Sequence, residues 1–346
     1  MERFTITRSC ILNTSDIMKN DKLITAPLQC ALITIGITCF NARSTIARAI
    51  KSALDQDWPN IEIIVVDDCS TDDSVANIEP LIAGRTDIEL IRHAKNAGPA
   101  AARNTILAQA KGEFIAFFDD DDISLLNRVS NQVSLLQDYE QRQDARLIAC
   151  YASGRRRYDG GYELELPAIG SQGETAPHGT EVADYLLLYR RRADRFYGTG
   201  TPTCSLMARK STFDDIGGFD SALRRVEDAD FAIRLALRGG HFIGTREPLF
   251  VQYSTNSDDK SPEKNLTSEQ RIVEKHRDYL DKIGSYYYAW HWPKLRYWHF
   301  KRKYLNFTWE LINLFARYPI ATSRHFWATG PQRLLHEKRI RERRSE

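Results

Sequence analysis

The feature that most constrains this chain is an alternation of strand-like and helix-like stretches between Ala31 and Asp119. "ALITIGIT" is a β-rich apolar run of strand length, beginning at Ala31. Ala42, Ile46, Ala49, Ile50, Ala53 and Leu54 then recur at helical spacing, and "QDWPN" stops the helix. "IEIIVVDD" is a second strand, and "STDDSVANIEPLI" is a short helix opened by a Ser/Thr cap. "IELIRH" is a third strand. "AGPAAARNTILAQAKG" is a helix with Gly98 and Pro99 at its start and Gly112 at its end. "EFIAFF" is the fourth strand. Such alternation predicts an α/β fold, its parallel sheet covered by helices on both faces. Sheets of this kind bind ligands beyond the carboxyl ends of their strands.

Every polar cluster in this half falls at those ends. Thr38 to Asn41 follows the first strand, Asp67 and Asp68 the second, and Asp119 to Asp122 the fourth. Adjacent carboxylates repel each other, and burying one without a partner is costly. Carboxylates at the mouth of a sheet suit a hard divalent cation, Mg²⁺ or Mn²⁺. In an extended segment, Asp119 and Asp121 of the D-x-D pair point one way and Asp120 the other. The pair could then hold a metal while Asp120 meets something else, such as a ribose. The competing reading is a solvated acidic loop or a helix cap.

Other residues carry two readings each. Asp68 suits a hydrogen bond from a base NH, or a turn, or a cap on the helix starting near Thr71. Phe40 suits stacking on a flat base, or the core. Arg103 suits a diphosphate, or an ion pair on a helix surface. Asp228, in "VEDADFAIRLALRGG", suits a general base within reach of a hydroxyl. It also suits the helix dipole, as do its neighbours Glu227 and Asp230.

Bulk composition sets few limits. A formal net charge of +2 argues for no particular partner, and the bases form no recognisable nucleic-acid module. The six cysteines include no C-x-x-C pair, so zinc and thioredoxin-type chemistry lack their signature. Buried free thiols in a reducing compartment fit better. No secretory signal and no bilayer-spanning apolar run is evident, which points to the cytoplasm, with peripheral attachment to the inner membrane face left open.

The second half is less regular. "DARLIACYA", "PTCSLMAR" and "HFIGTREPLFVQY" read as strands, with a long Gly-rich loop or small hairpin after the first of them. Beyond about residue 256 aromatics and bases crowd together, and Tyr304, Phe307, Leu311, Ile312 and Phe315 fall near one helical face. We expect an extension over 1–28, a catalytic unit over 29–255 and a helical, aromatic and basic extension over 256–346. The last of these suits packing on the catalytic unit or another subunit, or attachment to a membrane surface.

Taken together, "ITIGITCFN", "VVDDCSTDDS", "NAGPAAARNTILAQAKGEFIAFFDDDDIS", "IGGFD" and "VEDADFAIRLALRGG" resemble the inverting glycosyltransferase family 2, over roughly residues 30–255. The resemblance implies the GT-A fold, a Rossmann-like, mostly parallel central sheet flanked by helices. It also implies a nucleotide-sugar donor, usually a UDP-sugar, and Mn²⁺ or Mg²⁺. Carried over, Thr38, Phe40 and Asn41 line the nucleotide-sugar pocket with Asp68 on the base. Arg103 meets the diphosphate and Asp120 the ribose. Asp119 and Asp121 form the metal pair, with Asp121 the direct ligand. Asp228 is the catalytic base, Glu227 lies on the acceptor side, and Lys260 belongs to a loop that closes over the donor. The implied acceptor is a glycan or a lipid-linked glycan of the cell surface, and the transferred sugar a hexose or N-acetylhexosamine. Leu126 stands where the family often has proline, and no Q-x-x-R-W motif of processive synthases is present. An inactive nucleotide-sugar-binding module is the alternative.

Overall fold

The computed structural model describes residues 31–158, 161–253 and 261–344, with side chains to residue 331. The extension read over 1–28 and the loop residue Lys260 lie outside the described residues. The first half follows the alternation: β1 (Ile33–Cys39), α1 (Ile46–Leu54), β2 (Ile61–Asp67), α2 (Ser74–Ile82), β3 (Ile88–Arg92), α3 (Pro99–Gln109) and β4 (Phe114–Asp119). Then come β5 (Ile123–Ser124), α4 (Arg128–Gln143), β6 (Ile148–Arg157), β7 (Glu163–Leu166), α5 (Thr180–Leu188), β8 (Leu206–Arg209), α6 (Lys210–Ile216), α7 (Glu227–Leu237) and β9 (His241–Tyr253). Five helices close the chain: α8 (Pro262–Lys275), α9 (Arg277–Lys282), α10 (Tyr286–Phe300), α11 (Tyr304–Arg317) and α12 (Pro319–Arg344).

Strand alternation sorts the side chains into two apolar layers. Ile63 and Val65 of β2 join one cluster with α1 and α4, while Ile64 and Val66 join the other with α3, α5 and α7. Ile33, Ile35 and Ile37 are fully buried, each worth roughly 1.5–3 kcal/mol in removed apolar surface. Gly36 is required where α3 crosses β1, because a Cβ there would stand 2.5 Å from Ile106 Cγ2.

The sheet order is β3-β2-β1-β4-β8-β6-β9-β5, with β7 paired to β6. The strands β1 to β4 run parallel, as the alternation predicts. Beyond them the sheet is mixed rather than mostly parallel. β8 is antiparallel to both β4 and β6, and β9 is parallel to β6. The reason is local: β6 runs into a hairpin with β7 instead of a crossover helix, so the parallel rule no longer applies.

The C-terminal helices share the second apolar layer, through Ile272, Val273, Leu280, Tyr288, Leu295 and Leu314. Helix α11 corrects the single-face reading. Phe307 and Leu311 pack inward with the buried Leu314, whereas Tyr304 and Ile312 are exposed. The helix carries apolar residues on two sides, and only one of them is covered. Among the described residues, no helix is long and apolar enough to cross a membrane.

Candidate functional site

The site forms where β1, β2 and β4 end together. Thr38 is in register with Val66 on one side and Asp119 on the other. Strand β4 stops at Asp119, and Asp120 and Asp121 form a turn. The extended alternation expected for the D-x-D pair therefore does not hold. A turn bends the run back on itself, so the oxygens of Asp119 come close to Asp122, and those two with Cys204 have potential ligand atoms within 4.8 Å of one another. Asp122 is buried, and both of its carboxylate oxygens lack a hydrogen-bond partner. It was not singled out from the sequence, since nothing in a run of four acids marks the last as the buried one.

Burial and mutual repulsion act on the cluster. Desolvation, with Asp121 and Glu227 nearby, raises Asp119 to about 6 against the pull of Arg103. Burial raises Asp120 to about 8 although its carboxylate accepts a 3.0 Å bond from the Phe40 amide. Burial and the neighbouring Asp119 and Asp121 raise Asp122 to about 8. A cluster of carboxylates that resist ionisation, one with unpartnered oxygens, suits a hard divalent cation. Cys204 suits it poorly, since burial holds its thiol well above the ordinary range.

Two buried guanidiniums brace the cluster. Arg128, missed because a charged residue on a helix reads as exposed, is 1% exposed. It donates to Phe117 O at 2.9 Å, Ser124 Oγ at 2.9 Å and Gln132 Oε1 at 3.1 Å. Arg103 is buried as well, so the alternative reading of it as a surface ion pair does not hold. Its Nη1 donates to Glu227 Oε1 at 2.5 Å, and its Nη2 lies 3.8 Å from Asp119. Much of its charge is thus answered by the protein itself. Arg48 secures the turn by donating to Asp121 O at 2.7 Å.

Asp228 enters from α7. Its Oδ1 accepts from the Ala229 amide at 2.7 Å, the local bond of a helix's first turn. Desolvation, then repulsion from Glu227, raises it to about 6. That is the range of a carboxylate able to take a proton near neutrality. The helix starts at Val226, a β-branched residue at φ 60°. Such a conformation costs on the order of 1–3 kcal/mol and persists only where its surroundings enforce it. Asp230, two residues on, is fully buried and faces away to three bases: His276 Nε2 at 3.0 Å, Lys275 Nζ at 2.9 Å and Arg234 Nε at 2.8 Å. Burial favours its protonation, but those partners outweigh burial and hold it at about 2.

The remaining candidates fall into two groups. Phe40 is 48% exposed at the tip of β1, outside the core. Asn41 and Asp68 are tied into the scaffold. Asn41 Oδ1 accepts from the Thr71 amide at 2.8 Å, joining the β1 and β2 loops. Asp68 accepts from His93 Nδ1 at 2.7 Å and from the amides of Ala97 at 2.9 Å and Gly98 at 2.7 Å. It caps the entry to α3 rather than the helix after Thr71. The described cysteines Cys39, Cys69, Cys150 and Cys204 are free thiols.

Comparison with known proteins bears on family and fold. The chain is 41% identical over 106 residues to UDP-Glc:alpha-D-GlcNAc-diphosphoundecaprenol beta-1,3-glucosyltransferase WfaP of Escherichia coli, a match over 31% of this chain and 41% of that one. It is 37% identical over 101 residues to the succinoglycan biosynthesis protein ExoO of Rhizobium meliloti, covering 29% of this chain and 28% of that one. The matched part is thus less than half the length of either relative. The crystal structure of S. aureus TarS 1-349 in complex with UDP superposes with a TM-score of 0.52 at 20% identity, over 70% of this chain and 65% of that one. That likeness shows the fold, which is GT-A with added C-terminal helices. The family described as "Glycosyl transferase family 2" matches residues 34–211, more than half of the sequence, and the chain belongs to that family.

Proposed function

We propose that this chain is an inverting glycosyltransferase that moves a hexose or N-acetylhexosamine from a UDP-sugar to an acceptor hydroxyl in cell-surface polysaccharide or glycoconjugate assembly. The observation that carries the reading is the meeting of the acidic turn after β4 with Asp228 of α7, joined through buried Arg103. UDP in the similar TarS structure supports the donor class, and the name of the E. coli relative supports a lipid-diphosphate acceptor. Residues 29–255 form the catalytic unit and 256–346 an extension that meets the membrane surface from the cytoplasmic side.

Each residue then has a task. Exposed Phe40 stacks on the base, with Thr38 and Asn41 shaping the pocket around it. Asp68 holds the loop that frames the base, and Asp120 faces the ribose. Asp119 and Asp121, with Asp122 beside them, are the residues that would hold Mn²⁺ or Mg²⁺. When bound, the ion supplies Lewis-acid stabilisation of the departing diphosphate. Asp228 takes the proton of the acceptor hydroxyl as that oxygen attacks the anomeric carbon from the face opposite the leaving group, which inverts the configuration. Glu227 and Arg103 keep the base and the acidic turn in fixed relation.

The test is nucleoside diphosphate release across UDP-, GDP- and dTDP-sugars with Mn²⁺ and a panel of lipid-linked and free glycans. Turnover with a UDP-sugar, abolished in Asp121→Ala of unchanged fold, is expected. An enzyme that turns over fully in the presence of chelator contradicts the reading.

A further inference from the structure

A pocket of about 560 Å³ lies between α7 and the C-terminal helices, and no member of the acidic quartet lines it. Its walls are apolar and aromatic, with Leu187, Ile272, Trp292, Leu295, Phe307 and Phe326 among them. The volume falls within the roughly 300–1,000 Å³ typical of small-molecule sites. Its polar side chains are answered from within. Glu269 pairs with Arg296, and His325 stacks on Trp292 at 3.6 Å and bonds the Tyr288 hydroxyl at 3.0 Å. Walls of this kind recognise hydrocarbon rather than sugar or phosphate.

Two further observations bear on what that hydrocarbon carries. Val226 and Ala229 line the pocket, while Glu227 and Asp228 between them belong to the site with Arg103 and Asp119. Pocket and base therefore share one helical turn. The helices that contribute Phe307 and Phe326 also expose Leu305, Trp309 and Trp327. Over residues 300–331 the side chains of Lys301, Arg302, Lys303, Arg317 and Arg324 are exposed against a single acid, Glu310, whereas the whole chain is only +2. An apolar slot, a proton acceptor and a basic, aromatic outer face suited to anionic lipid occur on one set of helices.

We propose that this pocket takes the first isoprene units of a lipid-diphosphate-linked acceptor and so presents the attached sugar to Asp228; the inference rests on the glycosyltransferase reading above. The pocket selects acceptors by their lipid, independently of the donor site beyond β4. Gly330 offers a way to fill it. It lines the pocket, and a Cβ built there meets nothing within 4 Å.

The probe is dansyl-labelled farnesyl diphosphate, titrated into the full chain without donor. Saturable binding to the wild type is expected. Gly330→Trp, or Thr329→Phe if the first variant melts early, should weaken it about tenfold at an unchanged melting temperature. Equal binding by a well-folded variant overturns the proposal. So does equally tight binding of dansyl-palmitate to the wild type, which would make the pocket a general acyl slot. Failure of the underlying reading is separately visible, as absence of turnover with every UDP-sugar whatever the farnesyl titration gives.

Discussion

Arg103 on α3 and Glu227 on α7 are 124 positions apart in sequence and 2.5 Å apart in the fold, both buried. The same guanidinium reaches toward Asp119 at 3.8 Å, so one side chain holds three elements in register. A buried ion pair is weak support for stability when compared with an apolar replacement, but removing one partner strands the other.

Arg103→Met should therefore destabilise the protein by about 3–5 kcal/mol in denaturant titration. The double variant Arg103→Met/Glu227→Met should recover most of that loss and still turn over poorly. A double variant as unstable as the single one would show that the pairing is not the source of the effect.

As the proposed base, Asp228 can accept a proton only when ionised. With its carboxyl raised to about 6, kcat/KM should fall below roughly that pH. Asp228→Asn should lose about 10²–10⁴-fold in kcat at neutral pH while retaining UDP binding by calorimetry. An acid limb that stays near pH 4, the ordinary carboxylate range, would assign the proton transfer elsewhere.

The grip proposed for a cation at the acidic turn should depend on pH. Asp120 and Asp122 are raised to about 8, so the folded chain binds protons there more readily than the unfolded chain does. Their sign is the opposite of the usual carboxylate: favourable below the unfolded value, and lost as pH rises through the folded one. Mn²⁺ would compete with the proton for the Asp122 oxygens and should raise Tm more near pH 8 than near pH 5. Asp122→Asn should raise the Tm of the metal-free protein and shrink the Mn²⁺ shift.

Sequence reading reached β1 to β4 and the helices between them because each is bounded by its own turn residues and β1, β2 and β4 are apolar runs buried on both faces. It also brought the acidic run and Asp228 toward one site. The mixed half of the sheet was out of reach, since strand direction is set by connections and β8 has only four residues. Alternation misjudged Asp119 to Asp122 because it assumes an extended backbone, and the chain turns at Asp120. Arg128 was missed for a related reason: periodicity marks apolar faces, and a guanidinium satisfied by Phe117, Ser124 and Gln132 has no signature in composition.

Asp230 behaves in the ordinary carboxylate sense. Its folded value of about 2 lies below the usual 3.8, so its stabilisation is full above that range and disappears as pH falls through about 2. Asp230→Ala, which leaves buried His276 without its acid while Lys275 keeps Asp220, should cost about 3 kcal/mol at neutral pH. Thermal melts at pH about 7 would show it as a clear fall in Tm.

The outward side of α11 should bind anionic lipid. Flotation with vesicles of phosphatidylglycerol and phosphatidylethanolamine should carry the wild type upward. Leu305→Ser/Trp309→Ser, two exposed positions, should remain at the bottom with an unchanged melt. Equal flotation of that variant would detach the lipid contact from α11.

The knot at Asp230 ties the helix that bears Asp228 to Lys275 and His276, at the junction of α8 and α9. Grafting a foreign tail onto this chain would then do more than change its outer surface. It would tilt Asp228 itself, so hybrids made to swap acceptors should lose rate before they gain a new specificity, unless that anchor is transplanted along with the tail.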